Sequence, residues 1–241
     1  MRWGRANLDK VHGLVFITYR TFDTDTSVGI DASGEQVDAS RLSYSTQSFD
    51  EKFVTSPEVY QIIKESLPEY EPCCYLGGTV RVDSYKWLIG VMIGSKNGIY
   101  GSAGARTMEL AQAGHHLLYG TYPAYVPQIK AAPLLFLLAP WDRAVRQAVK
   151  NRLADVVRHP ARLLDRIHVQ TIGIIQAPDA QSNGQADMCD SCPDMTVWNG
   201  TLINSCRMDE YRLFSGMLSV AQKAKPAALD QPESMGVKEG G

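Results

Sequence analysis

Much that would place this chain quickly is missing from it. Five cysteines among 241 residues are too few, and too odd in number, for a secreted disulfide scaffold. Charge of one sign is not in excess. With 24 basic against 26 acidic residues the net charge is −2, so no global basic field recruits nucleic acid, which is not an expected partner. Long apolar runs are absent too. The longest, AAPLLFLLAPW at 131–141, has about half the length of a membrane-spanning helix, and Pro133 and Pro140 interrupt it. The amino terminus, MRWGRAN, has neither the apolar segment nor the cleavage pattern of a signal peptide, so the expected location is cytoplasmic. The signatures H-E-x-x-H and G-x-S-x-G do not occur, nor does a P-loop or dinucleotide fingerprint at Gly101–Arg106. Adjacent His115 and His116 point about 100° apart on a helix and cannot share one metal.

What is present is ordinary for a globular α+β chain, with 44% apolar residues, 21% charged residues, 20 Gly and 12 Pro. Residues 2–11 read as a helix stopped by Gly13. The run Leu14–Tyr19 (LVFITY) then suits a strand buried on both faces, as in a parallel sheet. No earlier strand precedes it, so a missing amino-terminal portion or a partner subunit is expected to supply the neighbour. Residues 20–55 are polar and read as loop with a short strand. Ser56-Pro57-Glu58 opens a helix with Ser56 as N-cap, its apolar face Val59, Ile62, Ile63 and Leu67. YKWLIGVMI at 85–93 and the segment after Asn97-Gly98 form a hairpin, because Asn-Gly supplies two positive φ angles. Helix 105–118 and strand 168–176 follow, and from Val220 the composition is that of a disordered tail.

Residues 142–166 carry seven Arg or Lys (Arg143, Arg146, Lys150, Arg152, Arg158, Arg162, Arg166) against Asp142, Asp155 and Asp165. Beside the apolar segment, such a stretch suits an anionic membrane surface or an acidic lipid head group, so a peripheral location and a lipid or membrane-associated substrate are expected. It reads equally as a solvated amphipathic helix whose core stripe is Val145, Val149, Leu153 and Val156.

The chemistry-bearing run is Met188–Arg212, MCDSCPDMTVWNGTLINSCRMDEYR. Cys189-x₂-Cys192 puts two thiolates on one turn, stiffened by Pro193, and Trp198-Asn199-Gly200 reads as a hairpin tip returning Cys206 toward them. The natural source of a fourth thiolate is the loop EPCCYLGG at 71–78, through Cys73 or Cys74, unless one iron is left open; Cys74 completes the expected set. An all-thiolate set with one long gap suits a [4Fe–4S] cluster. A structural Zn²⁺, normally marked by a second C-x₂-C or a His pair, and a redox dithiol are the alternatives. Asp190, Asp194, Asp209 and Glu210 flank the ligands, either lowering a cluster's potential or merely solvating the loops and capping a short helix at 209–214.

The opening VHGLVFITYR resembles the final strand region of the radical SAM partial barrel. CDSCPDMTVWNGTLINSCRMDEYR resembles the carboxyl-terminal extension in which many radical SAM enzymes hold an auxiliary iron–sulfur cluster. The resemblance implies the last helix and strand of an incomplete barrel at 1–19 and a mixed α+β region with apolar and basic helices at 20–167. A Cys-ligated cluster extension at 168–219 and the tail at 220–241 follow. It implies auxiliary-cluster ligands at Cys189, Cys192 and Cys206, in a chain that is the carboxyl-terminal part of such an enzyme. The C-x₃-C-x₂-C triplet that holds the radical-generating cluster is absent. S-adenosylmethionine is accordingly expected only in the full-length enzyme, and this chain alone is not expected to initiate radical chemistry. The alternative is a non-catalytic docking or electron-transfer domain stapled by zinc or an iron–sulfur site.

Overall fold

A computed structural model describes residues 1–18, 28–38, 41, 54–81, 84–121, 137–176, 178–180, 186–190, 192 and 194–222. Its elements are α1 (Arg2–Ala6), β1 (Gly13–Ile17), β2 (Val28–Ala32), β3 (Glu35–Gln36), α2 (Ser56–Ser66), β4 (Cys74–Leu76), β5 (Trp87–Ser95) and β6 (Gly98–Ser102). After them come α3 (Ala105–Tyr119), α4 (Arg143–Arg158), a 3₁₀ turn at Pro160–Leu164, β7 (His168–Ile175), β8 (Asp179–Ala180) and β9 (Ala186–Asp187). The chain ends with β10 (Met195–Trp198), β11 (Thr201–Asn204), a 3₁₀ turn at Ser205–Arg207, α5 (Met208–Phe214) and β12 (Leu218–Gln222).

The main sheet runs β1-β7-β5-β4, with β6 also on β5. Strand β7 lies along β5 from Trp87 to Gly94, so β4 (opposite Trp87–Ile89) and β6 (opposite Met92–Ser95) share the other edge. All pairings are antiparallel except β1 with β7. Alternation along β5 feeds two cores. Leu88 and Met92 join Ile172, Ile174, Ile63, Leu67 and Tyr70 under α2, whereas Val91 and Ile93 join Val169, Val145 and Ala148 under α4. A small sheet, β12-β2-β3, closes over Ala32, Leu218 and Phe214.

Local signals build these elements with some shifts. The cap of α2 is Thr55, not Ser56: its side chain and that of Glu58 form a reciprocal capping box, with Pro57 in the first turn. The β5–β6 turn has positive φ only at Gly98 (150°), and a register shift at Ile93/Gly94 absorbs the difference from a two-residue mirror turn. Strand β1 is not buried on both faces. Leu14 and Phe16 pack inward, while Val15 (61%) and Ile17 (72%) are exposed. Its neighbour comes from within the chain, as β7 runs parallel to it from Thr171 to Ile175. Val220–Gln222, assigned above to the tail, complete β12 against β2. Of the apolar run 131–141, residues 131–136 lie outside the described set, as do Tyr19, Pro193 and 223–241. No sheet of the described residues closes into a barrel, and no helix among them is long and apolar enough to cross a membrane.

In α4 the buried stripe is Val145, Ala148 and Arg152; Leu153, expected inside, is 59% exposed. Arg152 is drawn in because its guanidinium has work there. It donates to the Tyr100 hydroxyl at 2.8 Å and to the carbonyls of Arg162, Leu163 and Asp165 at 2.5, 3.4 and 3.3 Å. One carboxylate starts two helices: Asp142 accepts from Ala144 and Val145 of α4 and from Thr107 of α3.

Candidate metal centre

Local hydrogen bonds and one hairpin position the loops of the three carboxyl-terminal cysteines. Cys189 is delivered by an antiparallel bridge to Gly78, beyond the end of β4. Thr79 N–H donates to Met188 O, and Asp190 N–H to Gly77 O, both at 2.9 Å. Gly78 is needed for this approach, since a Cβ there would stand 2.2 Å from Asp187 Oδ1 and 2.4 Å from the Ser84 hydroxyl. Cys192 comes next on the turn, its Sγ 3.8 Å from the Asp194 carbonyl. Cys206 is returned by the β10–β11 hairpin, whose tip takes φ 47° at Asn199 and 80° at Gly200 as the sequence suggests. Ser205 N–H then donates to the same Asp194 carbonyl at 3.1 Å, so one oxygen ties both cysteine loops.

Two buried ion pairs hold these loops to the sheet. Asp187, two residues before Cys189, meets Lys86 Nζ at 3.2 Å, with side chains 1% and 0% exposed. Its Oδ1 accepts from Val80 N–H (2.9 Å) and Arg81 N–H (3.1 Å), and its Oδ2 from the Ser84 hydroxyl (2.8 Å). Burial acts to raise this carboxyl, but the four donors outweigh it and hold its pKa below the usual carboxylate range. Arg207, next to Cys206, pairs with Glu210 in the same way, with side chains 1% and 0% exposed. Arg207 also donates to Leu218 O at 2.6 Å and reaches Met188 Sδ at 3.3 Å, while Glu210 accepts from Leu218 N–H at 2.8 Å. Glu210 is therefore not a solvating or capping acid, and α5 has no side-chain cap. Asp190 and Asp194 are exposed, and Asp209 keeps a surface role toward Arg212 at 3.4 Å. The i,i+3 spacing of Arg207 and Glu210 was visible in the sequence; nothing marked Lys86 and Asp187, 101 positions apart, as partners.

The thiols sense one another. Burial pushes the Cys189 thiol up to about 12, and the thiolate charge of Cys192, then that of Cys206, adds to the rise. The Trp87 indole N–H and the Lys86 ammonium act against it. Trp87 Nε1 is buried and otherwise without a hydrogen-bond partner. No protein-family model, curated protein or solved structure matches the chain.

The structure does not bring Cys74 to the other three. It pairs with Ile89 in β4, four residues before Gly78 and so about 13 Å back along the strand. Its partner is Cys73, which is packed with Val91 and Ile93 and has its Sγ 3.3 Å from Ile89 O. The hydrogen bond between the two thiols, and then burial, raises Cys73, and the same bond lowers Cys74. No disulfide joins any of the five cysteines.

Among the described residues no three His, Cys, Asp or Glu side chains converge tightly enough to hold a single metal ion. One tetrahedral zinc with bonds of about 2.3 Å would need sulfurs about 3.8 Å apart. A [4Fe–4S] cluster makes a looser demand, one thiolate to each iron corner. Three thiols on loops tied through the Asp194 carbonyl match such a cluster in donor chemistry; a fourth thiolate is not at hand.

Proposed function

We propose that this chain is the carboxyl-terminal portion of a radical SAM-type enzyme, in which Cys189, Cys192 and Cys206 hold an auxiliary [4Fe–4S] cluster. The observation that carries the reading is that the Gly78 bridge and the β10–β11 hairpin, joined through the Asp194 carbonyl, set these three cysteines on adjoining loops, while Cys74 lies back in β4 beside Cys73. A supporting feature is β1, paired in parallel with β7, whose Val15 and Ile17 are exposed and could be covered by a barrel portion or a partner subunit. When bound, such a cluster supplies one-electron transfer at a potential set by its burial and nearby charge. The chain's own residues set that environment. Lys86 places a buried positive charge near Cys189, and Trp87 offers an N–H to the sulfur, both of which favour the thiolate. Asp187 and the Arg207–Glu210 pair hold the loops that carry Cys189 and Cys206.

Anaerobic purification followed by a visible spectrum and iron and sulfide assays tests this. The expected result is a broad sulfur-to-iron charge-transfer band, lost in Cys189→Ala, Cys192→Ala and Cys206→Ala and kept in Cys74→Ala. A colourless protein carrying zinc would overturn the reading in favour of a stapled docking domain. Loss of the band in Cys74→Ala would overturn the three-thiolate assignment.

A further inference from the structure

We infer that the outer face of α4 and the 3₁₀ turn after it form a docking surface for an anionic lipid bilayer. The inference does not rest on the cluster. Along α4 the positions Arg143, Arg146, Lys150, Leu153 and Val157 fall at helical spacing on one stripe, opposite the buried Val145, Ala148 and Arg152. The stripe is basic in its first half and aliphatic in its second. The turn at Pro160–Leu164 extends the aliphatic end. Val157 is 80% exposed, Leu163 68% and Leu164 91%. These side chains are not loose. Buried Arg152 grips the carbonyls of Arg162, Leu163 and Asp165, so an internal clamp presents the two leucines outward.

Charge argues for a lipid of negative sign. Every acid between residues 142 and 166 is engaged within the protein. Asp142 caps two helices, Asp155 pairs with Arg162, and Asp165 pairs with Lys96. Arg143 and Lys150 remain exposed along the first half of the stripe, and Arg158 and Arg166 near its aliphatic end. The tips are aliphatic, without the aromatic anchors that mark a protein-binding hot spot. A basic helix face that runs into exposed aliphatic points is the pattern of a helix lying in a membrane interface.

The test is flotation of the full chain with vesicles of phosphatidylcholine alone and of phosphatidylcholine with phosphatidylglycerol. Binding is expected only with the anionic lipid, falling as salt rises. Arg143→Gln with Lys150→Gln is expected to weaken it about 25-fold, about fivefold for each cation. Val157→Asp with Leu164→Asp is expected to abolish it while leaving the thermal melt unchanged, since both side chains are solvated. Equal binding to neutral vesicles, no binding at all, or full binding by the double Asp variant would each overturn the proposal. So would a doubled mass in light scattering that the double Asp variant abolishes, which would assign the face to a second copy of the chain.

Discussion

Asp187 is the residue whose removal should be felt furthest. Its carboxylate serves Val80 N–H, Arg81 N–H, the Ser84 hydroxyl and the buried Lys86 ammonium at once. Asp187→Ala leaves a charge in the interior without its counter-ion, a situation that costs about 3–5 kcal/mol. Asp187→Asn should fare little better: its Oδ1 can still accept the two backbone N–H groups, but its amide then faces the ammonium donor to donor. Adding Lys86→Met removes the stranded charge, and the pair Lys86→Met/Asp187→Asn should return to within about 1–2 kcal/mol of the parent, a coupling well outside additivity. Urea unfolding of the four proteins measures the cycle. The pH dependence has a definite sign. Because the folded carboxyl lies below its unfolded value, its contribution is complete above about pH 4 and is lost as pH falls through the folded value. Asp187→Asn should therefore flatten that part of the acid limb. The same variants should open the loop that delivers Cys189, so its thiol, 7% exposed in the parent, should react faster with a thiol reagent. Parent-like stability in Asp187→Asn, with no rescue by Lys86→Met, would refute the account of this pair.

Two further substitutions probe the frame around the site. Asp142→Ala removes the acceptor for the first turns of both α3 and α4 and should cost about 2–3 kcal/mol in thermal or urea melts, while Asp142→Asn should keep most of it. Burial acts to raise the Asp142 carboxyl, but the hydrogen bonds from Thr107, Val145 and Ala144 together outweigh it and hold it below the usual range, so its contribution too fades as pH falls through the folded value. Tyr100→Phe removes a hydroxyl that accepts from Arg152, donates to Asp155 and meets Ser95 Oγ at 2.7 Å; denaturant melts should show a loss of about 1–2 kcal/mol.

What could be read from the residues follows the range of the forces involved. Turns and helix starts depend on neighbours, so Asn97-Gly98, Asn199-Gly200 and Pro57 announced themselves, with errors of one residue or one φ sign. Partner choice is a long-range matter. Nothing in LVFITY says that it will lie beside β7, some 158 positions away, or that one of its faces will stay open. The candidate site divides along the same line. The hairpin at Asn199-Gly200 that precedes Cys206 was readable from spacing; the bridge from Gly78 that holds Cys189 was not. Cys74 was assigned by counting ligands, whereas its place is set by its pairing with Ile89 and by the thiol of Cys73. Arg152 and Leu153 exchange their expected places because three carbonyls and a phenol inside outbid an aliphatic contact for the inward position.

Strand β5 supplies the inner wall of two cores at once, and this makes its alignment unusually hard to lose. Sliding it by a single residue against β7 would turn Met92 and Leu88 toward α4 and send Val91 and Ile93 to α2, spoiling both interiors together. A side chain would also arrive where Gly90 now passes Tyr70, a gap in which even one methyl group would stand 2.4 Å from the ring. Misaligned intermediates are thus penalised on both faces of the sheet, and the bridge that carries Cys189, anchored just past the start of this strand, inherits its fixed position from them.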